Sequence, residues 1–290
     1  MKKLLLLISL FFVVTVSYSQ DLRPVVVQDG VLVYKGEYGD MLVYYNQKEV
    51  DQKEGQWGFI DKKGNVVIPV QFDDANYFSC SLACVKKNDR YGYIDTTGKV
   101  VVYYFFDEAN SFDPDNGLAL VKRSGKWGWI NHYGDYVVKC RFEMACPFID
   151  GFAMVKLNGK YGYIDKKGKF VVPCRFDNLS PFGEGGMAMV EQGGKWGFVD
   201  TLGTIPIACQ FDSEMLFQEG LSAVKQGNKW GFVNTSGIFV IPAEYDYVES
   251  FFKGKALVEI DDEQFYINKK GEIVTIQNEL NKASVYDTMS

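Results

Sequence analysis

Six carboxylates recur at one register of this chain, and their type and spacing are the first suggestion of chemistry. Each follows an aromatic residue directly: Asp73, Asp107, Glu143, Asp177, Asp212 and Asp246. A row of carboxylates could bind metal ions or serve in acid–base catalysis. Acids one repeat apart do not form a compact ligand cage, however, and no histidine accompanies them. We therefore expect each acid to cap the short turn after its strand, and we predict no metal site.

His132 is the only histidine of the chain. It lies between Asn131 and Gly134, in a turn where other repeats carry lysine or threonine, so an exposed turn residue is favoured over a general base. A single histidine allows no recurring Ser–His–Asp set, and the chain has no phosphate-binding glycine loop. The sequence therefore predicts no catalytic residue, no cofactor site and no enzyme.

The six cysteines are placed like small apolar residues. Three repeats carry cysteine where two others carry valine or alanine, at Cys140, Cys174, Cys209, Val70 and Ala243. Such a register favours buried thiols used as small hydrophobic groups. Neighbouring repeats could still bring two of them within the Cα separation of a disulfide, about 4.4 to 6.8 Å. Cys80 and Cys84 are expected on one strand, on the same face but too far apart to pair.

The elements that position these residues follow from a repeat. Seven anchor aromatics are separated by 34, 36, 34, 35, 34 and 35 residues, at Trp57, Tyr91, Trp127, Tyr161, Trp196, Trp230 and Phe265. A fixed period of this length indicates a repeat architecture. Aromatic residues make up 16% of the chain, which also has 29 glycines and 8 prolines. This composition favours many short β-strands joined by tight turns.

One repeat predicts three strands, over 152–156, 160–165 and 170–173. Asn158-Gly159 supplies the positive φ angles of a tight hairpin turn between the first two. A second turn, Asp165 to Gly168, recurs in other repeats with Asp or Asn at its first position, as expected when that side chain accepts hydrogen bonds from the turn. Proline ends the third strand in three repeats and marks a strand end or an edge: Pro69, Pro173 and Pro242.

A glycine follows six of the anchor aromatics: Gly58, Gly92, Gly128, Gly162, Gly197 and Gly231. Glycine inside a strand marks a bulge or a close approach of another backbone or ring. We expect these glycines to give the anchor rings room to stack as a continuous core. The connection to the next repeat is predicted as irregular or briefly helical, with a phenylalanine that returns to the core: Phe78, Phe112, Phe148, Phe182, Phe217 or Phe251.

The segments 57–64, 196–200 and 230–234, with Lys126, Lys195 and Lys229 before three of the tryptophans, resemble the bacterial WG-repeat family, also called KWG repeats. The resemblance covers about residues 40 to 275. Tyr91 and Tyr161 replace tryptophan, and the last copy has Phe265-Tyr266 in place of Trp-Gly, which is expected to act as a cap. The resemblance implies an all-β repeat protein and transfers no catalytic residues.

The expected fold is an all-β tandem array of about seven three-stranded antiparallel repeats of about 35 residues, open and solenoid-like. Three strands per repeat is fewer than the four of a propeller blade. The alternative is a closed seven-bladed, propeller-like ring, in which 25–33 would donate the closing strand. A compact, near-globular scattering profile would decide for the ring.

The chain ends suggest how the protein is sorted. Residues 1–19 have a basic start, an apolar run too short to span a bilayer and a small-residue cleavage site before Gln20, which predicts a signal peptide. An N-terminal strand or cap segment at 20–40, a WG-repeat β domain at 41–276 and a polar tail at 277–290 are expected to follow. The mature chain is predicted to be exported to the periplasm, the cell surface or the medium, with no transmembrane segment.

The expected function is a non-enzymatic binding or scaffold module at the cell envelope, with a protein, peptide or glycan partner. Carbohydrate binding through aromatic faces is an alternative, and an enzyme of unknown class is disfavoured. The formal net charge of −6, without clustered basic residues, disfavours nucleic acid. Departures from the repeat, Tyr103-Tyr104-Phe105 and 113–116, are the places where a specific surface is expected. The sequence leaves the oligomeric state open.

Overall fold

The computed structural model describes residues 24–28, 31–34, 41–46, 56–61, 65–213 and 216–274. The predicted signal peptide, most of the predicted cap segment, Lys62–Gly64 and the predicted tail lie outside the described residues. Every regular element in the described part is a β-strand, apart from one turn of 3-10 helix at Glu184–Gly186. The prediction of an all-β chain is therefore confirmed.

The chain forms two compact units, the first running to Ser124 with the addition of Ile130–Asp135, and the second made of Gly125–Trp129 and the chain from Tyr136 onward. The strands before Gly125 are β1 (Pro24–Gln28), β2 (Val31–Tyr34), β3 (Met41–Asn46), β4 (Gln56–Asp61), β5 (Val66–Phe72), β6 (Asp74–Ser79), β7 (Leu82–Lys87), β8 (Arg90–Asp95), β9 (Val100–Phe106), β10 (Glu108–Ala109) and β11 (Ala119–Arg123). Strand β12 (Lys126–Ile130) has residues in both units.

The strands of the second unit continue the same series. They are β13 (Tyr136–Phe142), β14 (Met144–Ala145), β15 (Phe152–Leu157), β16 (Lys160–Asp165), β17 (Phe170–Phe176), β18 (Asn178–Leu179), β19 (Met187–Gln192), β20 (Lys195–Asp200), β21 (Ile207–Phe211), β22 (Phe217–Gln218), β23 (Leu221–Gln226), β24 (Lys229–Asn234), β25 (Phe239–Tyr245), β26 (Tyr247–Val248), β27 (Lys255–Ile260) and β28 (Glu263–Asn268).

Consecutive strands pair antiparallel in open sheets, with orders such as β6-β7-β8-β9, β14-β15-β16-β17 and β22-β23-β24-β25. These sheets have four strands where three were predicted. The extra strand comes from the connection: Met144 and Ala145 pair with Lys156 and Val155 of the following hairpin. None of the described sheets closes into a barrel. The tandem array of antiparallel repeats of about 35 residues is confirmed, with this correction to its strand count.

The N-terminal strands extend the first sheet, whose order is β1-β2-β3-β4-β5. Strand β2 pairs with β3, and Val31 lies opposite Asn46. The last sheet contains β26, β27 and β28 among the described residues. The prediction that 25–33 could supply a strand to close a ring is therefore wrong for this structure, because its described residues, 25–28 and 31–33, belong to strands of the first sheet.

The strand predicted as third in each repeat is the last of its sheet, and we keep the name third strand for β5, β9, β13, β17, β21 and β25. The glycine after each anchor aromatic lies beneath the backbone of this third strand. On β16, Tyr161 and Tyr163 are opposite Phe176 and Val172, so two steps along β16 match four along β17. The third strand therefore bulges over Gly162, where a Cβ would lie 2.4 Å from the carbonyl oxygen of Val172. The predicted close approach is confirmed, but a strand backbone makes it, and the prediction that an anchor ring needs the room was wrong.

Proline stands inside the third strand, because β17 continues to Phe176 and β25 to Tyr245. The prediction that the third strand ends near proline was therefore too short by three residues. The third strand is nevertheless the last strand of its sheet, so the alternative prediction of an edge is confirmed. An edge strand tolerates proline because one side of its backbone has no ladder to complete.

The core is built on the aromatic one residue after the glycine, since the anchor aromatics themselves are only half-buried. That buried ring packs on the phenylalanine of the connection with centroids 4.4 to 4.9 Å apart, in the pairs Phe59–Phe78, Tyr93–Phe112, Trp129–Phe148, Tyr163–Phe182, Phe198–Phe217 and Phe232–Phe251. The return of the connecting phenylalanine to the core is confirmed. The prediction that the anchor rings stack as the core was wrong, because the buried rings lie two positions further along the strand.

The last repeat departs from this pattern at Tyr266, which occupies the glycine register and is 51% exposed. Beyond β28, the described chain pairs through an isolated Ile267–Ile273 bridge and through the Val274 N–H, which donates to the Tyr266 carbonyl (2.8 Å). The role of the last repeat as a cap stays a prediction.

Candidate interaction surface

Five of the six predicted acids form ion pairs, and each partner is a base 17 residues earlier in the chain. The pairs are Arg90–Asp107, Lys126–Glu143, Lys160–Asp177, Lys195–Asp212 and Lys229–Asp246. The base stands directly before the anchor aromatic, so the first residue of the Lys-Trp-Gly signature holds the acid that follows the third strand. In the repeat of Asp73, Gln56 stands at the position of the base.

These acids, called here the bridging carboxylates, also bind the hairpin turn of the next repeat. Glu143 accepts from the N–H groups of Asn158 and Gly159 (3.1 and 2.9 Å), and Asp177 accepts from Gly193 (2.9 Å). Asp212 and Asp246 accept equivalent bonds from Gly227 (3.0 Å) and Asp261 (3.2 Å). The prediction that each acid caps the turn after its own strand was wrong, because the carboxylate reaches to the following hairpin.

The bridging carboxylates are therefore structural groups, and for three of them the ion pair favours the charged form. The hydrogen bond from Lys160 lowers the pKa of Asp177 below its ordinary value, and Lys195 and Lys229 have the same effect on the pKa of Asp212 and of Asp246. Among the described residues, no group of three His, Cys, Asp or Glu side chains is arranged to hold a metal ion.

Glu219, which is not one of the acids named bridging carboxylates, also connects repeats in the second unit. The Glu219 N–H donates to Glu184 (2.7 Å), and the Glu219 carboxylate accepts from the Gly254 N–H (3.0 Å). Lys269 forms an ion pair with Glu219 (3.1 Å), and the hydrogen bond from Lys269 lowers the pKa of Glu219. Successive loops are thus connected by the same chemistry as the bridging carboxylates.

The Asp and Asn residues of the second turn accept hydrogen bonds as predicted. Asp165 Oδ1 accepts from the N–H groups of Lys167 and Lys169, both at 2.9 Å, and Asn234 does the same for Ser236 and Ile238. Their role in turn chemistry is confirmed.

His132 is less exposed than predicted. It lies in the predicted turn, but its ring stacks on Phe112, with centroids 4.5 Å apart and an interplanar angle of 12°. Phe112 is itself part of the core, so His132 covers one end of a buried ring pair. The turn assignment was correct and the full exposure was not.

All six cysteines lie in the described part of the chain, and none forms a disulfide in the structure. Cys174 and Cys209 lie at the bulge of the third strand, near the carbonyls of Val155 (3.9 Å) and Val190 (3.7 Å). Burial raises the pKa of Cys174 to about 11 and also raises the pKa of Cys84. Cys80 lies in a turn with φ 52°, so the prediction that it shares a strand with Cys84 was wrong.

The variable part of the repeat is the outward row of the third strand. In β9 this row consists of Val101, Tyr103 and Phe105, which are 37%, 72% and 37% exposed, and we call it the β9 surface. At the register of Tyr103 the other repeats carry Pro69, Lys139, Pro173, Ala208 and Pro242. At the register of Phe105 they carry Gln71, Arg141, Arg175, Gln210 and Glu244. The β9 surface is therefore aromatic at two positions where the other third strands carry proline, alanine or a polar or charged residue.

The Arg123 side chain borders the β9 surface within the first unit. The Arg123 guanidinium lies 4.8 Å from the ring centroid of Phe105, a cation–π distance. Gly134 lies on the opposite, buried side of the strand, since a Cβ on this glycine would lie 3.1 Å from a methyl group of Val102, which is 4% exposed. Tyr133, the residue before Gly134, is 84% exposed.

Sequence reasoning pointed to Tyr103-Tyr104-Phe105, and the structure separates these residues. Tyr103 and Phe105 are exposed, whereas Tyr104 turns inward beside Gly92. The other expected site, 113–116, is a turn whose polar groups bond to one another. Asp113 accepts hydrogen bonds from the Asp115 N–H (2.8 Å) and from the Asn116 amide. The contribution of Arg123 was missed, because it lies in a different strand.

With this geometry in view, a family model for the WG-containing repeat matches six consecutive segments, 57–91, 91–127, 127–161, 161–196, 196–230 and 230–263. This chain belongs to the WG-repeat family. Each segment begins at an anchor aromatic, the first five end at the next one, and the sixth ends two residues before Phe265. No curated protein matches the chain.

Several solved structures resemble the chain weakly. A eukaryotic initiation factor matches with a TM-score of 0.39 and 13% identity over 82% of this chain and 75% of its own. The extracellular domain of a putative one-component system from B. thetaiotaomicron matches with a TM-score of 0.31 and 11% identity, over 85% and 40%. Kluyveromyces lactis Hsv2 has a TM-score of 0.36 and 11% identity, over 59% and 60%. The chain thus spans less than two thirds of the latter two.

The described part of the chain contains no helix with the length and hydropathy of a membrane span.

Proposed function

We propose that this WG-repeat chain is a non-enzymatic, exported protein that acts as a binding or scaffold module at the bacterial cell envelope. The observation that carries the proposal is that framework residues and outward residues are separate sets within the repeat. Carboxylates, glycines and buried rings are used for the framework, while the outward row of the third strand changes from repeat to repeat. Repeat arrays present such rows as extended binding surfaces.

The export part of the proposal rests on residues 1–19, whose basic start, apolar run and small-residue site are typical of a signal peptide. Expression of the full chain in a bacterium, followed by cell fractionation and N-terminal sequencing, tests it. We expect a chain that begins at Gln20 outside the cytoplasm. A cytoplasmic chain that retains residues 1–19 would contradict export.

The binding part is tested with the purified, folded chain on a solid support and bacterial envelope extract. We expect a protein, peptide or glycan to be retained, and retention to fall when Tyr103 and Phe105 are replaced by the Pro and Arg of β17. Replacement of Tyr133 by Lys is the control for loss of an exposed aromatic. Turnover of a substrate without retention of any partner would contradict a non-enzymatic binding role.

Carbohydrate binding is the second candidate, and the exposed rings of Tyr103 and Tyr133 favour it. An exposed aromatic face stacks on the apolar face of a sugar ring. Titration with soluble envelope polysaccharide should show binding that is lost in a Tyr103→Ala, Tyr133→Ala double variant. Binding that survives in this variant would remove the candidate.

A further inference from the structure

The third strands form the edges of their sheets, and an exposed edge can pair with another chain. Natural proteins limit such pairing with proline or charge on the edge strand. Four of the third strands carry such a residue at one register: Pro69, Lys139, Pro173 and Pro242. Strand β21 carries Ala208 there and follows Pro206 directly. Strand β9 carries Tyr103 instead and contains no proline.

The charge of β9 also differs from that of three other edges, since β5 and β21 are uncharged as well but are limited by Pro69 and Pro206. A two-fold contact about this register places the central residue opposite its own copy, and it brings two copies of every other charged residue of the strand into the same contact. Strand β13 would oppose Lys139 to Lys139 and bring together two copies of Arg141, as β17 would for Arg175 and β25 for Glu244. Like charges opposed across strands are destabilising. Strand β9, from Val100 to Phe106, has no charged residue, so nothing in it repels a second copy.

We propose that a second copy of this chain docks on β9, through antiparallel pairing of β9 with β9 about a two-fold axis at Tyr103. This inference does not depend on the proposed binding function. The axis places Val101 of each copy opposite Phe105 of the other, and Tyr103 opposite Tyr103. Pairs of an aromatic with a β-branched residue and of two aromatics both stabilise antiparallel strands.

The position of Arg123 is compatible with this arrangement. Its guanidinium lies over Phe105, at one end of the exposed row. Because Phe105 faces Val101 of the second copy, the two Arg123 side chains lie at opposite ends of the contact. Four residues of extended chain separate those ends by about 13 Å. The pairing therefore places the two aromatic rows side by side without opposing the two arginines.

The first test is sedimentation velocity over a concentration series of the purified chain. Tyr103→Pro and Tyr103→Lys are the test variants, and both residues occur at this register in other repeats, so the framework accepts them. Tyr133→Lys removes a similarly exposed aromatic outside the strand. We expect a dimer for the wild type and for Tyr133→Lys, and dissociation constants raised at least tenfold in both Tyr103 variants.

A wild type that stays monomeric at all concentrations overturns the proposal, as does a dimer that both Tyr103 variants leave intact. An extended foreign peptide that binds β9 of a monomeric chain belongs to the first outcome. A second measurement remains decisive if a variant folds poorly. Tyr103→Cys should give a disulfide-linked dimer on mild oxidation, since opposed residues have Cα atoms about 4.5 to 5.5 Å apart.

Lys139→Cys, at the equivalent register of β13, is the matched control and should stay unlinked beyond the wild-type background of native cysteines. Equal linkage of the two variants, or none in Tyr103→Cys, overturns the proposal.

Discussion

In the sheet that ends with β9 and in the sheet that ends with β17, the third strand passes over a glycine. A Cβ on Gly92 would lie 2.6 Å from the Val102 carbonyl oxygen, and one on Gly162 would lie 2.4 Å from that of Val172. Both sheets also hold a base paired with the acid after the third strand, Arg90 with Asp107 and Lys160 with Asp177. The two repeats therefore share one framework.

The same two strands differ in what they present outward. Strand β9 exposes Tyr103 and Phe105, whereas β17 carries Pro173 and Arg175 at the same positions. The ladder positions of the two strands are the same, since Phe106 and Phe176 each lie opposite an anchor tyrosine. The inward residues of the repeat are therefore kept, whereas the outward row varies. One edge can then have a separate role.

The largest loss of stability is expected from a substitution in the core of the β9 repeat. Phe112 is 1% exposed and packs on Tyr93, so Phe112→Ala should lower the free energy of unfolding by about 3 to 5 kcal/mol. Phe182, its equivalent beside β17, is only partly buried, and Phe182→Ala should cost less. Urea denaturation followed by tryptophan fluorescence measures both. Equal losses would show that the two cores do not differ in packing.

The next effect tests whether the two frameworks are the same. Gly92→Ala and Gly162→Ala each place a methyl group against strand backbone, and each should cost about 2 to 3 kcal/mol. Gly183→Ala is the control, because its nearest atom would lie 3.8 Å away at ordinary contact distance. Urea midpoints measure the three variants. A loss confined to one of the two buried glycines would contradict a common framework.

The smallest effect concerns the bridging carboxylates and pH. The folded chain holds the pKa of Asp177 below its ordinary value of 3.8, so the unfolded chain takes up the proton first as pH falls. The stabilisation is complete well above pH 3.8 and is lost as pH falls below it. Thermal melts between pH 6 and pH 3 should decline less steeply for Asp177→Asn than for the wild type. Identical slopes would remove the contribution of this ion pair.

The sequence was enough to predict the elements that repeat. The period of the anchor aromatics and the glycine after each of them indicate strands, turns and a close approach, because these constraints are local and occur six times. Asp165 was predicted correctly because its hydrogen bonds reach only residues two and four positions along the chain.

What the sequence could not show depends on partners far along the chain. The bond from Lys160 to Asp177 spans 17 residues, and only the fold brings the two together. The anchor rings were predicted as core because a large aromatic is usually buried, but the bulge of the third strand moves full burial to Tyr163. The same bulge places Tyr103 outward and Tyr104 inward. Alternation along a strand also predicts that the two side chains face opposite sides, but it does not show which of them is exposed.

The independence of the outward row from the framework is tested by the urea midpoint of the exchange variant Tyr103→Pro, Phe105→Arg, which gives β9 the outward residues of β17. It should be compared with the wild type and with Gly92→Ala at a concentration where all three have the same oligomeric state. If the outward row is independent of the framework, the free energy of unfolding should change by no more than about 0.5 kcal/mol, as for a surface substitution. A loss as large as that of Gly92→Ala would contradict the separation of framework from outward surface.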